Sequence, residues 1–416
     1  MQLLSDNPSP SDILGFDGMD NIIYNVIRDM PEPPFTIGIF GEWGCGKTTL
    51  MRMVQNRLNN DNVKTVWFNA WKYDGKEVIW NALIQQIFYT MKEDPEVKSR
   101  QNSEELLNQI GDVSIELAKY AAKVFTRFVP GGIVKEEDVN TLVKAFTPLC
   151  AVDPQFDFIN KFEYKFNELV KKYVGGEDKH LIVFIDDLDR CLPENAITVM
   201  EALKLYLDRA NCIFVIGTES SIIEEGIRHR YKDNQRLSGK EYLEKIIQLP
   251  FVMRGIDTDN ALSLLDPYEK TLGYHNDPII RTLLVEGTKC NPRRIKRFIN
   301  AFWVLSAIAN YPDAVNTLSQ GKRHNLAKIL LIQMRFPKLY YALVDELEIV
   351  ADLTHICQLD ASERDSALAL KSITFRGFYE DKEIKAFLIK TSQIPCLPSS
   401  IKEWVLLTKG QPIIAE

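Results

Sequence analysis

The residues with the clearest chemical meaning lie between Gly41 and Thr48, which read GEWGCGKT. The spacing G-x-x-x-x-G-K-[ST] is that of a loop whose glycines let backbone N–H groups point at phosphates. Lys47 is predicted to reach the β- and γ-phosphates of a nucleotide, and the Thr48 hydroxyl is predicted to bind Mg²⁺. The candidate nucleotide-binding residues belong to this loop and to the start of the next helix: Gly41, Trp43, Gly44, Cys45, Gly46, Lys47, Thr48 and Thr49.

A second candidate group ends the most apolar short segment of the chain. Leu181–Ile185 reads LIVFI, and Asp186 and Asp187 follow it directly. This pattern also suits a buried strand that ends in a solvated acidic loop, but the phosphate-binding loop upstream favours a metal site. Asp186 is therefore predicted to hold Mg²⁺ through water, and Asp187 to polarise the attacking water.

These two groups need a parallel sheet to bring them together. Five apolar runs predict its strands: Phe35–Phe40, Lys64–Phe68, Leu181–Ile185, Cys212–Ile216 and Ile246–Val252. Helical patterns lie between the strands, and strands that alternate with helices indicate an α/β fold with a parallel sheet. The helix predicted from Thr49 places its positive N-terminal end at the phosphates.

The remaining sequence predicts helical regions around this core. We expect an N-terminal linker and helix over residues 1–34 and the α/β core over residues 35–255. A polar, helix-prone insertion is predicted at about residues 94–160 within the core. Beyond it, we expect a helical lid over residues 256–310 and a C-terminal helical region over residues 311–416.

The bulk composition is that of a globular protein, with 45% hydrophobic and 26% charged residues. A net charge of −7 argues against an extended nucleic-acid-binding surface, although a local basic patch stays open. The seven scattered cysteines indicate free thiols in a reducing cytoplasm. We see no signal peptide and no apolar segment of about 20 residues, so we expect a cytoplasmic protein without membrane spans.

Five motifs in order resemble one family of phosphate-binding proteins. They read GIFGEWG, FNAWKY, DDLDRC, YLEKIIQLPF and NPRRIKRFIN, and they begin at Gly38, Phe68, Asp186, Tyr242 and Asn291. Together they resemble the KAP family of P-loop NTPases over roughly residues 10–305. The resemblance implies an additional-strand ATPase core that binds ATP and Mg²⁺ and works as a regulated switch.

The resemblance also implies a biological setting. Many KAP members are bacterial, and several belong to antiphage defence systems, in which they work beside a separate effector. Others carry two membrane helices between the P-loop and the acidic strand, but the insertion at residues 94–160 has no spanning stretch. We therefore expect a member without membrane contacts that works as a homo-oligomer, with an effector protein, or both.

Several arginines are candidates for contact with the nucleotide. Arg293 and Arg294 begin a basic helix, and either would fit a lid arginine that reports the γ-phosphate. A solvated basic helix face explains them equally well, and contact with nucleic-acid phosphates is a further alternative. An arginine between the fourth and fifth strands would suit a site on a neighbouring subunit, and the sequence leaves open which one acts: Arg228, Arg230 or Arg236.

Two positions depart from the family pattern. Asp187 stands where most related ATPases have Glu, and its shorter side chain predicts either a displaced water or slow hydrolysis. The turn Gly217–Ser220 lacks the expected Asp, which makes Thr218 the candidate for the polar sensor. Arg190 is a candidate salt-bridge partner of Asp187 or of Asp189.

Aromatic residues near the loop have more than one interpretation. Trp43, Trp67 and Trp71 are predicted to serve core and interface packing rather than base stacking. Apolar residues of the N-terminal segment are the predicted floor for adenine: Ile13, Leu14 and Phe16.

The function predicted from these features is that of a Mg²⁺-dependent ATPase switch, slow or activated by a partner, in a bacterial antiphage system. The sequence shows no second catalytic centre, so its output would pass through a partner or an assembly. Two alternatives are a nonhydrolytic ATP-bound scaffold and a nucleic-acid-sensing ATPase.

Overall fold

The computed structural model divides the chain into two compact units. One unit combines residues 17–43 with residues 47–253, and the other combines residues 1–16, 44–46 and 254–416. The structure describes the following residues: 4–6, 15–29, 33–74, 79–99, 104–114, 154–206, 211–230, 239–253, 256–264, 266, 277–309 and 319–409. The sequence predicted four consecutive segments, which do not coincide with these two units. The boundaries of the four segments stay a prediction.

The first unit is built on a five-stranded parallel sheet in the order β2-β3-β4-β1-β5. Its strands are β1 Phe35–Phe40, β2 Thr65–Asn69, β3 Leu181–Asp186, β4 Cys212–Thr218 and β5 Leu249–Val252. Every residue of β3 and of β4 is buried, as expected for strands covered on both faces. Strand β4 lies between β1 and β3, so the predicted α/β fold with an additional strand is confirmed.

Helices connect these strands. They span Asp17–Arg28, Lys47–Asn60, Ile79–Glu93, Pro95–Ser99, 104–114, Pro154–Val174, Pro193–Tyr206, Ser220–Arg230 and Gly239–Ile246. The predicted fifth strand began too early, because Ile246 ends the last of these helices and β5 starts at Leu249. A continuous apolar run does not distinguish a helix end from a strand, which explains the error.

The predicted insertion lies largely outside the described residues, at 115–153. The helix that follows it, Pro154–Val174, overlaps the end of the predicted insertion and buries Phe162, Phe166, Leu169 and Tyr173. These positions recur at helical spacing on one face, so the helix packs an apolar stripe into the core. Among the described residues, no helix is both long enough and apolar enough to cross a membrane.

The second unit is helical in its described part. Its helices span Thr258–Ser263, Pro278–Thr288, Pro292–Ala309, Gln320–Arg335, Pro337–Asp345, Ile349–Gln358, Ala361–Ala369, Ile373–Glu380, Lys382–Lys390 and Pro398–Lys409. Helix Gln320–Arg335 packs against Pro278–Thr288 and Pro398–Lys409, and it buries a nearly continuous run from Leu326 to Gln333. A helix that is buried on most sides serves as the centre of such a bundle.

Candidate functional site

The carboxyl ends of the parallel strands define the candidate site in the α/β unit. Strand register pairs Phe40 with Thr218, and it pairs Asn69 with Asp186. The phosphate-binding loop follows Phe40 directly and ends where helix Lys47–Asn60 begins. The loop and the polar strand ends therefore meet at one edge of the sheet, where open α/β folds bind their ligands.

The loop glycines have the backbone conformations that phosphate binding requires. Gly44 has a φ of 84° and Gly46 a φ of 105°, values that residues with a Cβ atom rarely adopt. Cys45 and Thr49 are buried, which fixes both flanks of Lys47. The loop therefore has the shape that exposes backbone N–H groups to an anion.

Lys47 and Thr48 are the loop side chains that contact the acidic strand end and its turn. The Thr48 hydroxyl donates to Asp186 Oδ1 across 3.1 Å. The Lys47 ammonium donates to the carbonyls of Gly41 at 2.8 Å and Glu42 at 3.3 Å, and it lies 3.0 Å from Asp189 Oδ2. The predicted pairing of the loop with the acidic strand end is thus present in the structure.

Asp186 is buried in an unfavourable electrostatic environment. Its burial and the nearby charge of Asp187 raise its pKa from 3.8 to about 6, against the opposing effect of the Thr48 hydrogen bond. Only 4% of the residue is exposed. A carboxylate that is destabilised in this way gains from a cation, so its environment suits the predicted role as a metal ligand.

Asp187 adopts the left-handed conformation, with φ 56° and ψ 28°, immediately after β3. Asn69 Nδ2 donates to Asp187 Oδ2 at 2.6 Å, and Arg190 Nε lies 2.8 Å from Asp187 Oδ1. The salt bridge expected from Arg190 is therefore made to Asp187. Both carboxylate oxygens are engaged, so a water would have to use a remaining lone pair, or Asp187 would have to turn away from these partners.

Asn69 and Asp189 are residues of the candidate site that were not predicted from the sequence. Asn69 is the last residue of β2, and Asp189 belongs to the 3₁₀ turn Leu188–Arg190. Both belong to motifs quoted above, FNAWKY and DDLDRC. A signal existed, since polar side chains that follow parallel strands meet at one edge, but the strand register was needed to pair Asn69 with Asp187.

Core packing was the wrong prediction for Trp43 and Trp71, and the interface packing that was also predicted for them stays a prediction. Trp43 is 43% exposed in the loop after β1, and Trp71 is 53% exposed in the 3₁₀ helix Ala70–Tyr73 that follows β2. The Arg190 guanidinium carbon lies 5.5 Å from the ring centre of Trp43 and 5.2 Å from that of Trp71, within cation–π range. Trp67 does pack inside β2, where its ring stacks on Phe184 at 5.6 Å.

Thr218 ends β4 as the predicted sensor residue. Its hydroxyl is fully buried, and it has no hydrogen-bond partner among the described residues. A Cβ atom on the neighbouring Gly217 would lie 3.5 Å from Asp186 Oδ1, so the end of β4 lies close to the candidate metal ligand. An unsatisfied buried hydroxyl costs about 1–3 kcal/mol, which is consistent with a group kept for function.

Arg293 and Arg294 belong to the helical unit. Asn291 Oδ1 accepts hydrogen bonds from both of their backbone N–H groups, at 3.1 and 3.2 Å, and so caps helix Pro292–Ala309. The Arg293 side chain pairs with Asp6 at 3.6 Å. In the same unit, a Cβ atom added to Gly44 would approach Arg293 Cβ and Asn291 Oδ1 to 2.8 Å each. The role of either arginine towards a nucleotide stays a prediction.

Only some of the other predicted arginines and of the predicted adenine-binding residues lie within the described residues. Arg228 is exposed, whereas Arg230 pairs with Glu201 at 2.8 Å. Arg236, Ile13 and Leu14 lie outside the described residues. Phe16 is buried, with 2% exposure.

The donor set at the sheet edge fits a Mg²⁺ that is bound together with a nucleotide. The described residues include no cluster of three or more His, Cys, Asp or Glu arranged around a metal position. Mg²⁺ at nucleotide sites takes one or two protein oxygens and completes its shell with water and phosphate. Thr48 and Asp186, with oxygens 3.1 Å apart, supply such a pair.

Solved structures match most of the chain at low similarity. The Aeropyrum pernix ORC2 protein in its ADPNP–ADP complexes is 13% identical, with a TM-score of 0.38 and coverage of 95% of this chain and 94% of that one. Cdc6p from Pyrobaculum aerophilum is 13% identical, with a TM-score of 0.41 and coverage of 99% and 90%. Likenesses this distant add nothing to the description of the site.

Sequence comparisons are more specific. The Phage T7 exclusion protein of Escherichia coli (strain K12) is 24% identical over 257 residues, which make up 58% of this chain and 33% of that protein. The chain thus spans about a third of this relative's length. A family model described as the KAP family P-loop domain matches residues 16–309, well over half of the 416 residues. The resemblance carried by the five sequence motifs is confirmed, and the chain belongs to the KAP family of P-loop NTPases.

Proposed function

We propose that this protein is an ATP-binding regulatory switch that hydrolyses ATP with Mg²⁺. The observation that carries the proposal is the contact of the P-loop hydroxyl of Thr48 with Asp186 at the end of β3. Membership of the KAP family supports nucleotide binding in general. The choice of ATP and the hydrolysis step belong to the proposal.

Each side chain of the site has a definite role in this proposal. Lys47 binds the β- and γ-phosphates, while Thr48 and Asp186 hold Mg²⁺, which when bound neutralises charge on the phosphates. Asp187 accepts the proton of the attacking water. Arg293 acts as a lid arginine, and Arg294 contributes to nucleotide binding.

Slow basal turnover follows from the contacts of Asp187. Asn69 and Arg190 hold its two oxygens, so these two groups, and not a water, set the orientation of the carboxylate. An activating event that withdraws one of them would let Asp187 turn towards the attacking water. A partner or a change of assembly would provide it by favouring the released conformation.

The biological role we propose is that of the NTPase component of a bacterial antiphage system, working with a separate effector. The support is the name of the relative, a phage exclusion protein, of which this chain spans a third. None of the six described cysteines forms a disulfide, in keeping with a reducing compartment. Homo-oligomerisation, with Arg228, Arg230 or Arg236 reaching a neighbouring site, is part of the same proposal.

Phosphate release by the purified protein tests the switch directly, with Lys47→Ala and Asp187→Asn beside the wild type. Size-exclusion runs with ATP, with ADP and without nucleotide report the assembly state. The proposal expects slow release by the wild type, loss of release in both variants and an ATP-dependent change of size. Binding of ATP without any release would replace it with a nonhydrolytic scaffold, which the occupied oxygens of Asp187 favour.

A nucleic-acid-sensing ATPase is the third alternative, because helix Pro292–Ala309 starts with a basic cluster. Two of its arginines, Arg293 and Arg297, lie within 3.7 Å of Asp6, and the net charge is −7. Stimulation of phosphate release by DNA or RNA, declining steeply with salt, would establish this alternative.

A further inference from the structure

The Lys47 ammonium contacts its own loop and the turn that follows β3. Its ammonium donates to two carbonyls of its own loop, Gly41 and Glu42, and faces Asp189 Oδ2 at 3.0 Å. The side chains of Lys47 and Asp189 are each only 8% exposed. The contact is an ion pair without hydrogen-bond geometry at Asp189 Oδ2, and water and salt screen the attraction of its charges less than in an exposed pair.

The backbone holds Asp189 at this position. Its 3₁₀ turn, Leu188–Arg190, follows directly on the left-handed residue Asp187. Leu188 is fully buried and anchors the turn in the core, and Arg190 closes the turn by pairing with Asp187. The same short turn therefore supplies the counter-ion of Lys47 and the cation that engages Asp187.

We propose that Asp189 is a competing counter-ion that holds Lys47 in the nucleotide-free protein and thereby sets the affinity for ATP. The inference rests on the proposed function, because it assumes that Lys47 binds nucleotide phosphates. A phosphate group has to take over the ammonium from Asp189, and it also brings negative charge close to that carboxylate. Both effects oppose binding, so Asp189 weakens ATP binding instead of supporting it.

A merely structural role for Asp189 makes the opposite prediction. If the residue only shaped the turn, its replacement would loosen the loop and weaken ATP binding. Asn retains the size and an acceptor oxygen of Asp while removing its charge. Asp189→Asn therefore separates the two roles by the sign of the change in affinity.

The experiment compares ATP dissociation constants for the wild type and Asp189→Asn by calorimetry, in EDTA and in Mg²⁺. Asp178→Asn is the matched control, since Asp178 is an exposed acid in the turn that precedes β3, at the opposite edge of the sheet. We expect Asp189→Asn to bind ATP about tenfold more tightly in EDTA, equivalent to about 1.4 kcal/mol. Asp178→Asn is expected to match the wild type.

A double-mutant cycle on thermal unfolding without nucleotide provides an independent test of the ion pair. Asp189→Asn is expected to lower the melting temperature when Lys47 is present. In a Lys47→Met background it should leave the temperature unchanged or raise it, because the carboxylate is then buried without its cation. The double variant Lys47→Met, Asp189→Asn carries two neutral residues, so it can be measured even if Asp189→Asn alone does not fold.

The outcomes distinguish the inference from the proposed function. Equal or weaker ATP binding by Asp189→Asn, with normal binding by the wild type, overturns the inference and leaves the proposed function intact. Additive effects in the cycle also overturn it. A wild type that binds no ATP removes the proposed function and the inference together.

Discussion

Asp186→Asn should stabilise the nucleotide-free protein while it damages the site. The ionised carboxylate is buried beside Asp187 and Asp189, and its pKa rises from 3.8 to about 6. Because each pKa unit corresponds to about 1.4 kcal/mol, ionised Asp186 costs the folded state about 3 kcal/mol near pH 8. Asn removes this charge and still offers an oxygen to Thr48.

The pH dependence follows from the sign of the change. The folded state binds this proton more tightly than the unfolded state, so wild-type stability falls as the pH rises from about 4 to about 6. The advantage of Asp186→Asn should therefore be about 3 kcal/mol at pH 8 and about half of that at pH 5.

Thermal unfolding at these two pH values is the assay. We expect the melting temperature to rise by about 6–12 °C at pH 8, since about 2–4 °C corresponds to 1 kcal/mol in a unit of this size. Asp178→Asn is the control and should match the wild type, because Asp178 is exposed and lies in the turn before β3, at the opposite edge of the sheet. A lower melting temperature for Asp186→Asn at pH 8 would refute the electrostatic reasoning.

Two further predictions concern the same edge of the sheet. Asn69→Ala removes the hydrogen bond to Asp187 Oδ2, so basal phosphate release should rise severalfold while the melting temperature drops by a few degrees. Slower phosphate release would show that Asn69 assists hydrolysis instead of restraining it. Thr218→Val replaces a buried hydroxyl without a partner among the described residues, so the free protein should be equally or more stable while phosphate release declines. Marked destabilisation by Thr218→Val would point to a structural role for the hydroxyl.

The sheet and its main ligand-binding loop could be predicted from the sequence because their signals are local. Leu181–Ile185 is fully apolar, and the glycine spacing of residues 41–48 fixes the loop, so neither needs knowledge of distant contacts. The start of β5 was misplaced because the apolar residues Ile246 and Ile247 fit a helix end and a strand equally well. Only the packed structure decides between them.

Contacts across the sheet could not be predicted in the same way. Asn69 and Asp187 are 118 positions apart in the sequence, and their contact depends on the register of β2 against β3. The exposure of Trp43 and Trp71 likewise depends on loops that leave the core, although aromatic residues are usually buried. The ion pair of Lys47 with Asp189 could not be predicted from the sequence. The loop motif predicts only that the lysine binds nucleotide phosphates.

The central claim is that Lys47, Thr48 and Asp186 form a site for ATP with Mg²⁺. Calorimetric titration of ATP, with Mg²⁺ and with EDTA, into the wild type, Lys47→Ala and Asp186→Asn tests it most directly. The account predicts wild-type binding that Mg²⁺ strengthens, no measurable binding by Lys47→Ala, and binding by Asp186→Asn that Mg²⁺ no longer strengthens. Equal ATP affinity in the wild type and Lys47→Ala would contradict the account.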